Sequence, residues 1–323
     1  MRRWLPLVAA AAAALVLGLV VGPASLGLGA VWDAVWGRGD ETAQSIVRGL
    51  RLPRVLLAFL VGGSLSVTGA TLQAVVRNPL ADPYLLGLSG GAGLGAVAAI
   101  ALGVGGAWAV PLAALLGALL AIVLVYRIAL VAGGLLDARV LLLAGVVVGA
   151  FAASLMGAIM ALSPAREVRN ALLWLLGSFD GASWQALTIF GAYALLPLAA
   201  LYAMARPMDL LALGEEPAQF LGADVERTKR RLYLAASALT AVAVSVSGII
   251  GFVGLVVPHA VRILWGHTHQ QLLPSAFLLG GTLMVVADAA ARTAFAPLEM
   301  PVGVVTALVG VPVFVWLVRR WAS

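Results

Sequence analysis

The chain has 323 residues, of which 63% are hydrophobic and only 11% charged, and its mean hydropathy is +1.06. A soluble domain carries roughly 25% charged residues, so this composition excludes an ordinary water-soluble fold. The net charge of +6 comes from arginines scattered between apolar runs, which argues against a nucleic-acid partner. Cysteine is absent, which excludes disulfides, thiolate metal sites and cysteine nucleophiles.

Apolar runs of transmembrane length follow one another along the chain. A helix needs about 20 apolar residues to cross the hydrocarbon layer. Runs such as 112–125 do not alternate polar and apolar residues, as barrel strands do. The sequence therefore predicts an all-α integral membrane protein with lipid around it and about ten spans. The predicted spans are residues 5–28, 55–76, 85–102, 108–130, 140–162, 186–205, 232–253, 256–264, 273–294 and 301–318.

The two ends of the chain carry positive charge that predicts the orientation. Arg2 and Arg3 precede the first span, and Arg319 and Arg320 follow the last one. Basic residues flanking spans favour the cytoplasmic side. We therefore expect both termini in the cytoplasm and a multi-pass location in the inner (cytoplasmic) membrane. The first apolar run is too long for a typical secretory signal, so we expect it to be retained.

Three arginines, Arg48, Arg51 and Arg54, then fall on the outside, before the second span. They have two interpretations. They could anchor a helix end by reaching lipid phosphates. Alternatively, they could form a docking patch, because the arginine fork binds carboxylates bidentately.

Two proline motifs, Asn78-Pro79 and Pro258-His259, are predicted to interrupt helices at membrane depth. Such breaks are tolerated where the backbone faces protein or a water-filled path, which makes them pore candidates. A weak repeat supports this, since 66–69 (SVTG) recurs as 245–248 (SVSG) with a proline at the same distance. Five spans separate the copies, which predicts an inverted internal repeat.

The long polar stretch 206–231 is predicted to be a cytoplasmic loop. Within it, the pattern of residues 213–222 predicts a short amphipathic helix with acids in its first turn and a glycine stop. It could dock into a groove on a partner or simply connect two spans. The chain's one lysine, Lys229, lies in no glycine-rich phosphate loop, so we expect no ATPase site and no enzyme activity.

Seven segments in order along the chain carry a family resemblance. They resemble the FecCD/BtuC family of ABC-importer permeases. The segments are residues 51–54 (RLPR), 69–73 (GATLQ), 78–83 (NPLADP), 86–93 (LGLSGGAG), 141–145 (LLLAG), 251–259 (GFVGLVVPH) and 301–306 (PVGVVT).

The resemblance implies a BtuC-like (type II ABC importer) fold, with residues 1–323 forming a single transmembrane permease domain. It also implies a homodimer, two cytoplasmic ATPase subunits and a periplasmic or lipid-anchored binding protein that delivers the cargo. No cofactor is implied.

The resemblance also assigns roles to individual residues. Arg51, Arg54 and Arg292 match positions that dock the binding protein, which favours the docking interpretation. Residues Gly214, Glu215, Glu216, Ala218, Leu221 and Gly222 match the coupling helix that seats in the ATPase. Asn78 and Leu80 match one cytoplasmic gate. Ala138 and Arg139 match a second gate, although the cobalamin permease has small hydroxyl residues there.

The sequence specifies the cargo less clearly than the family. The segment 174–181 (WLLGSFDG) is similar to iron-chelate permeases, which favours a siderophore or haem, with cobalamin as the alternative. Two other classes stay open: an ion-coupled secondary transporter and a non-transporting membrane scaffold. Asp288 is the acid deep in a span, and it is either a proton relay or the partner of Arg292 at i+4. His259, His267 and His269 do not form a convincing metal-ligand pattern, so we expect no metal site.

Overall fold

The computed structural model describes residues 4–133, 137–266 and 268–322, and these residues contain helices and no β-strand. Arg2, Arg3 and His267 lie outside the described residues. The helices are α1 Leu5–Val20, α2 Leu28–Val35, α3 Glu41–Val76, α4 Leu88–Ala101, α5 Ala109–Gly133, α6 Ala138–Leu162, α7 Ala165–Leu175, α8 Trp184–Ala203, α9 Ala205–Leu213, α10 Glu215–Phe220, α11 Val225–Ser247, α12 Val253–Trp265, α13 His269–Thr293 and α14 Val302–Ala322.

The all-helical membrane class predicted from the sequence is confirmed. Among the described residues, α3, α5, α6, α8 and α13 are each long and apolar enough to cross a membrane. Shorter apolar helices, including α1, α4, α12 and most of α14, fill the spaces between them. The bundle is organised around α3, whose most apolar window is 83% buried, whereas that of α8 is 22% buried and faces outward.

Small residues bring the central helices together. Helix α13 crosses α3 where Gly62 faces Gly280, and a side chain at Gly62 would collide with the Gly280 carbonyl. A similar approach joins α4 to α5, where Gly91 and Gly95 lie against backbone of Gly117 and Ala113. Close backbone contact of this kind is the usual basis of helix association in lipid.

The first span is shorter than predicted. Helix α1 ends at Val20, eight residues before the expected boundary, and α2 forms separately. The physical reason is Pro23, which disfavours helical backbone at Gly22 and ends the run.

The second span is longer than predicted. Helix α3 begins at Glu41 and passes through a π-helical turn over Ser45–Arg51 before the expected start. Asp40 caps this beginning by accepting a hydrogen bond from the Ala43 N–H at 3.1 Å. Arg48, Arg51 and Arg54 therefore lie in the same helix as the predicted span 55–76 and come before it, and their position outside the membrane stays a prediction.

Only one of the two predicted proline interruptions is present. Helix α3 does end next to Asn78-Pro79, with Arg77 in a left-handed conformation at φ 53°. Pro258, in contrast, lies inside α12, and the helix continues through it. The carbonyl that Pro258 leaves without its helical donor is that of Gly254, and Gln73 Nε2 lies 3.4 Å from it. The interruption instead covers residues 248–252, between α11 and α12.

The two copies of the internal repeat differ in local structure. Gly69 lies inside α3, whereas Gly248 follows the last residue of α11 with φ 68°. Pro79 lies in a turn and Pro258 in a helix. The inverted relation between the copies stays a prediction.

Candidate functional site

The predicted site residues divide between two ends of the bundle. Helix α3 runs from Arg51 and Arg54 towards Arg77, and α13 runs back from His269 to Asp288 and Arg292. The helix from Arg54 to Val76 spans roughly 33 Å at the helical rise, close to the thickness of the hydrocarbon layer. We call the end that holds Arg54 and Asp288 the arginine end, and the end that holds residues 205–222 the coupling end.

Asp288 is the centre of the charge network at the arginine end. One of its carboxylate oxygens accepts from Arg54 Nη2 at 2.9 Å and from Nε at 3.0 Å. The other lies 3.0 Å from Arg292 Nε, so the predicted pair at i+4 is present. The Asp288 side chain is only 1% exposed, and a carboxylate so deeply buried requires paired cations of this kind.

Arg51 and Arg292 also bind the end of α1. Arg51 donates to the carbonyls of Leu19 at 2.8 Å and Val20 at 2.9 Å, and to that of Ala24. Arg292 donates to the Gly18 carbonyl at 3.1 Å. The last carbonyls of a helix lack helical donors and carry partial negative charge, so both arginines stabilise the end of α1. Arg51 is 5% and Arg292 3% exposed, so neither presents a free guanidinium.

Of the three predicted docking arginines, Arg54 is the one whose guanidinium contacts exposed side chains. Its Nη1 lies 2.9 Å from a Glu299 oxygen and 3.3 Å from an Asp180 oxygen. The Asp180 side chain is 65% and the Glu299 side chain 33% exposed. Sequence reasoning missed both acids, because they come from separate loops that only the fold brings together. We call Arg51, Arg54, Arg292, Asp180, Asp288 and Glu299 the arginine cluster.

All members of the arginine cluster except Asp288 line a depression of about 300 Å³. Pro23, Ile46 and Phe179 supply part of its apolar wall. Arg48 is exposed and is not among the residues of this wall. Its carbonyl accepts a 2.8 Å hydrogen bond from Trp184 Nε1, which ties α8 to α3.

The coupling end has a different composition. Helix α10, Glu215–Phe220, has Glu215 and Glu216 in its first turn, as predicted. Gly214 and Gly222 bracket it with φ angles of 123° and 83°, which L-residues with side chains rarely adopt. Ala218 is buried, whereas Phe220 is 90% exposed. Leu213 and Leu221 are each 61% exposed, so this end presents an apolar surface.

One ion pair and one hydrogen-bonded pair hold the coupling segment, residues 205–222, on the bundle. Glu215 Oε1 lies 2.5 Å from Lys229 Nζ, and this ion pair connects α10 to α11. Asp209, in α9, accepts from the His269 backbone N–H at 2.8 Å and lies 2.6 Å from its Nδ1. This second pair connects α9 to the start of α13. Helix α9 was not predicted as a separate helix, because residue 205 was expected to end a span.

The predicted gate residues lie at the coupling end. Asn78 Oδ1 accepts from the Leu80 N–H at 2.9 Å in an exposed turn. A side chain at Gly214 would come within 3.7 Å of Arg77 Nη2, so this turn adjoins the coupling segment. Ala138 begins α6, where Asp137 accepts from the Arg139 N–H at 2.7 Å, and the Arg139 side chain is exposed.

The two described histidines have separate surroundings. His259 lies inside α12, whereas His269 begins α13 and pairs with Asp209. Among the residues that the structure describes, no group of three or more His, Cys, Asp and Glu side chains could hold a metal ion.

With this geometry established, comparison with known proteins identifies the family. The model of the FecCD transport family matches residues 10–320. The chain belongs to the FecCD transport family. Members are multi-pass inner-membrane permease subunits of ABC transporters, which work with separate ATPase subunits and a binding protein.

Relatives of this FecCD permease include named import systems. The cobalamin import permease BtuC of Halobacterium salinarum is 46% identical over 86% of the chain and 74% of its own length. The vitamin B12 import permease BtuC of Salmonella arizonae is 39% identical over 92% and 90% of the two chains. The Bacillus subtilis ABC transporter permease YvrB is 38% identical over 96% and 91%.

A solved structure supports the fold over the whole chain. An ABC transporter described as being of the metal-chelate type, in an inward-facing conformation, superposes with a TM-score of 0.88. It covers 98% of both chains at 30% identity. The all-helical ABC-permease fold expected for a FecCD permease is thereby confirmed, and the number of ten spans stays a prediction.

Proposed function

We propose that this FecCD permease forms the translocation path for a large metal chelate, with cobalamin as the first candidate cargo and an iron chelate as the second. The observation that carries the proposal is the division of the molecule into an arginine end with a largely buried charge cluster and a coupling end that exposes Leu213, Phe220 and Leu221, about one hydrocarbon thickness apart. The names of the relatives from Halobacterium and Salmonella favour cobalamin over the iron chelate expected from residues 174–181. The structure of the metal-chelate type keeps the iron chelate as the second candidate.

In this proposal the coupling end faces the cytoplasm. Exposed Phe220, Leu213 and Leu221 then dock into the ATPase subunits, in the manner of an amphipathic helix in a groove. The chain itself performs no hydrolysis. Because Gly214 adjoins Arg77, a displacement of α10 by the ATPase would reach the Asn78–Leu80 gate directly. The start of α6, with Ala138 and Arg139, forms the second gate at the same end.

The arginine end faces the outside and receives the binding protein. The side chains of Asp180 and Glu299 are exposed, so the region around Arg54 is accessible to water. Trp184 lies near by, bonded to the Arg48 carbonyl. Indole rings favour the membrane interface, which is consistent with this placement. Both chain termini then lie in the cytoplasm.

A second copy of the chain completes the path. Apolar residues of α7 and α14 line a depression of about 510 Å³, with Leu175, Val304 and Leu308 on its wall. Leu308 is 66% exposed, so the face is open in the single chain. We place the homodimer contact here, and the exposed faces of α5, α6 and α8 against lipid.

Reconstitution tests the proposal. Vesicles containing the permease and its ATPase subunits should take up cobalamin, presented on the binding protein, only when ATP is supplied. Uptake driven by a proton or sodium gradient without the ATPase would instead indicate a secondary transporter. Absence of any uptake, with intact ATPase binding, would favour the scaffold alternative. Uptake of an iron chelate but not of cobalamin would reverse the order of the two cargoes.

A further inference from the structure

The charges of the arginine cluster balance. It contains three arginines and three acids, so its formal charge is zero. The proposed docking function, on which this inference rests, needs a cation that a partner's carboxylate can approach. A neutral cluster offers no excess positive charge, and adding a further carboxylate would make it negative. Docking of a further carboxylate therefore requires that one of the existing ion pairs breaks.

The burial of each side chain indicates which of these ion pairs can break. Asp288 is 1% exposed, and its two oxygens are shared between Arg54 and Arg292. Arg51 and Arg292 are buried on carbonyls at the end of α1. These contacts cannot open without leaving buried charges unpaired, which is costly. Asp180 and Glu299, in contrast, are exposed and can return to water.

We propose that Asp180 and Glu299 form a displaceable clasp on Arg54 Nη1, and that an acidic face of the binding protein docks by replacing them. The occupant is a carboxylate, because the same nitrogen already holds two carboxylates at 2.9 and 3.3 Å. Arg54 is then the arginine that contacts the partner. Arg51 and Arg292 act as positioning residues that fix α1 and Asp288 beside it.

The clasp predicts that removing an acid from the permease strengthens docking. Glu299→Gln keeps the shape of the side chain and removes a competing charge. Association should tighten about fivefold, the effect of an exposed ion pair near the upper end of its usual range. The double change Asp180→Asn with Glu299→Gln should tighten it further and make it more sensitive to salt, since the variant cluster has a net positive charge.

The experiment measures association between the detergent-solubilised permease with its ATPase subunits and the binding protein that supports uptake with this permease. Glu41→Gln is the matched control, since Glu41 is exposed near the start of α3 and outside the cluster. Its association should equal that of the wild type. Arg54→Lys retains the charge but not the fork, so it should weaken association.

Two outcomes overturn the clasp. If Glu299→Gln weakens association or leaves it unchanged while Arg54→Lys weakens it, the arginine docks the partner but the acids do not compete. If none of the variants, including Arg54→Lys, alters association, neither the clasp nor docking at this cluster stands. Failure of the transport proposal is recognised separately, because the wild type would then show no ATP-driven uptake.

Discussion

The arginine end and the coupling end differ in how their functional residues are held. Both were identified from charged sequence motifs, yet the arginines at one end are buried and already paired, whereas the other end exposes Leu213, Phe220 and Leu221. The difference follows from depth. A charge near the hydrocarbon must find an internal partner, while a segment beyond the helix ends can remain in water. A charged motif in a membrane protein therefore does not by itself show which of its side chains is available to a partner.

The largest expected effect is on stability, and it compares a buried with an exposed acid of the arginine end. Asp288→Asn leaves Arg54 and Arg292 without their shared carboxylate, and we expect a loss of about 3–5 kcal/mol in the free energy of unfolding. Thermal unfolding of the purified protein in detergent measures it. Asp180→Asn is the control and should cost less than about 1 kcal/mol, because Asp180 is exposed. Equal stability of the two variants would contradict the central role of Asp288.

The next effect concerns binding at the coupling end. Phe220→Ser removes the most exposed aromatic side chain of the coupling segment, and association with the ATPase subunits should weaken about thirtyfold, as for an interface hot spot. The stability of the isolated permease should not change, since Phe220 is 90% exposed. The measurement is co-purification and binding of the ATPase subunits.

Leu102→Ser is the matched control for Phe220. Leu102 is 78% exposed but follows α4 at the end away from the Asn78–Leu80 turn. It should leave association with the ATPase unchanged. An equal loss in both variants would mean that general surface hydrophobicity, rather than the coupling segment, determines binding.

A smaller effect tests whether buried polar contacts also matter near the coupling end. Gln73 lies 3.4 Å from the Gly254 and Leu255 carbonyls, and its Oε1 accepts from Arg262 Nη1 at 2.5 Å. Gln73→Leu should reduce the free energy of unfolding by about 1–2 kcal/mol, because these partners lose their hydrogen bonds. The exposed Gln270→Leu serves as the comparison in the same thermal assay. A stability loss no larger than that of Gln270→Leu would show that the Gly254 carbonyl, left without a helical donor by Pro258, does not need the hydrogen bond from Gln73.

The smallest effect is a pH dependence at the arginine end. Burial, together with a hydrogen bond to Asp180, raises the pKa of Glu299 above its usual range, although Arg54 opposes the shift. Lowering the pH therefore protonates Glu299 earlier than an ordinary glutamate, which removes its charge from Arg54 just as Glu299→Gln does. The ratio of the affinities of Glu299→Gln and wild type should fall towards one between about pH 7 and pH 5.

Acids on the binding protein also titrate in this pH range, but they affect the affinities of Glu299→Gln and wild type equally. Their effect therefore cancels in the ratio of the two affinities. Arg54, Arg292, Asp180 and Asp288 are the charged groups around Glu299 and are present in both proteins. A ratio that rises as the pH falls would contradict the competition between Glu299 and the partner.

Much of the fold was predictable because hydrophobic length is a strong signal in a membrane protein. The coupling helix was also predictable, since its glycines and its first-turn acids are local features. The end of α1, the start of α3 and the continuation of α12 through Pro258 were not predicted. The first two follow from local signals that hydrophobic length does not weigh, Pro23 after α1 and the Asp40 cap of α3, whereas the third involves a distant partner, Gln73.

The same limit applies to the site. The pairing of Asp288 with Arg292 follows from helical spacing and was predicted. The contacts of Asp180 and Glu299 with Arg54 join three separate segments, which no local pattern reveals. These contacts change the interpretation of the arginine motif from an open patch to a cluster whose charges are already paired.

The absence of cysteine makes a direct test of the central claim possible. Leu221→Cys and Asp180→Cys each introduce a single thiol, one at either end, and cross-linking in the assembled transporter identifies the neighbouring subunit. The account predicts that Leu221→Cys captures only the ATPase subunit and Asp180→Cys only the binding protein. Capture of the binding protein through Leu221→Cys, or of the ATPase through Asp180→Cys, would contradict it.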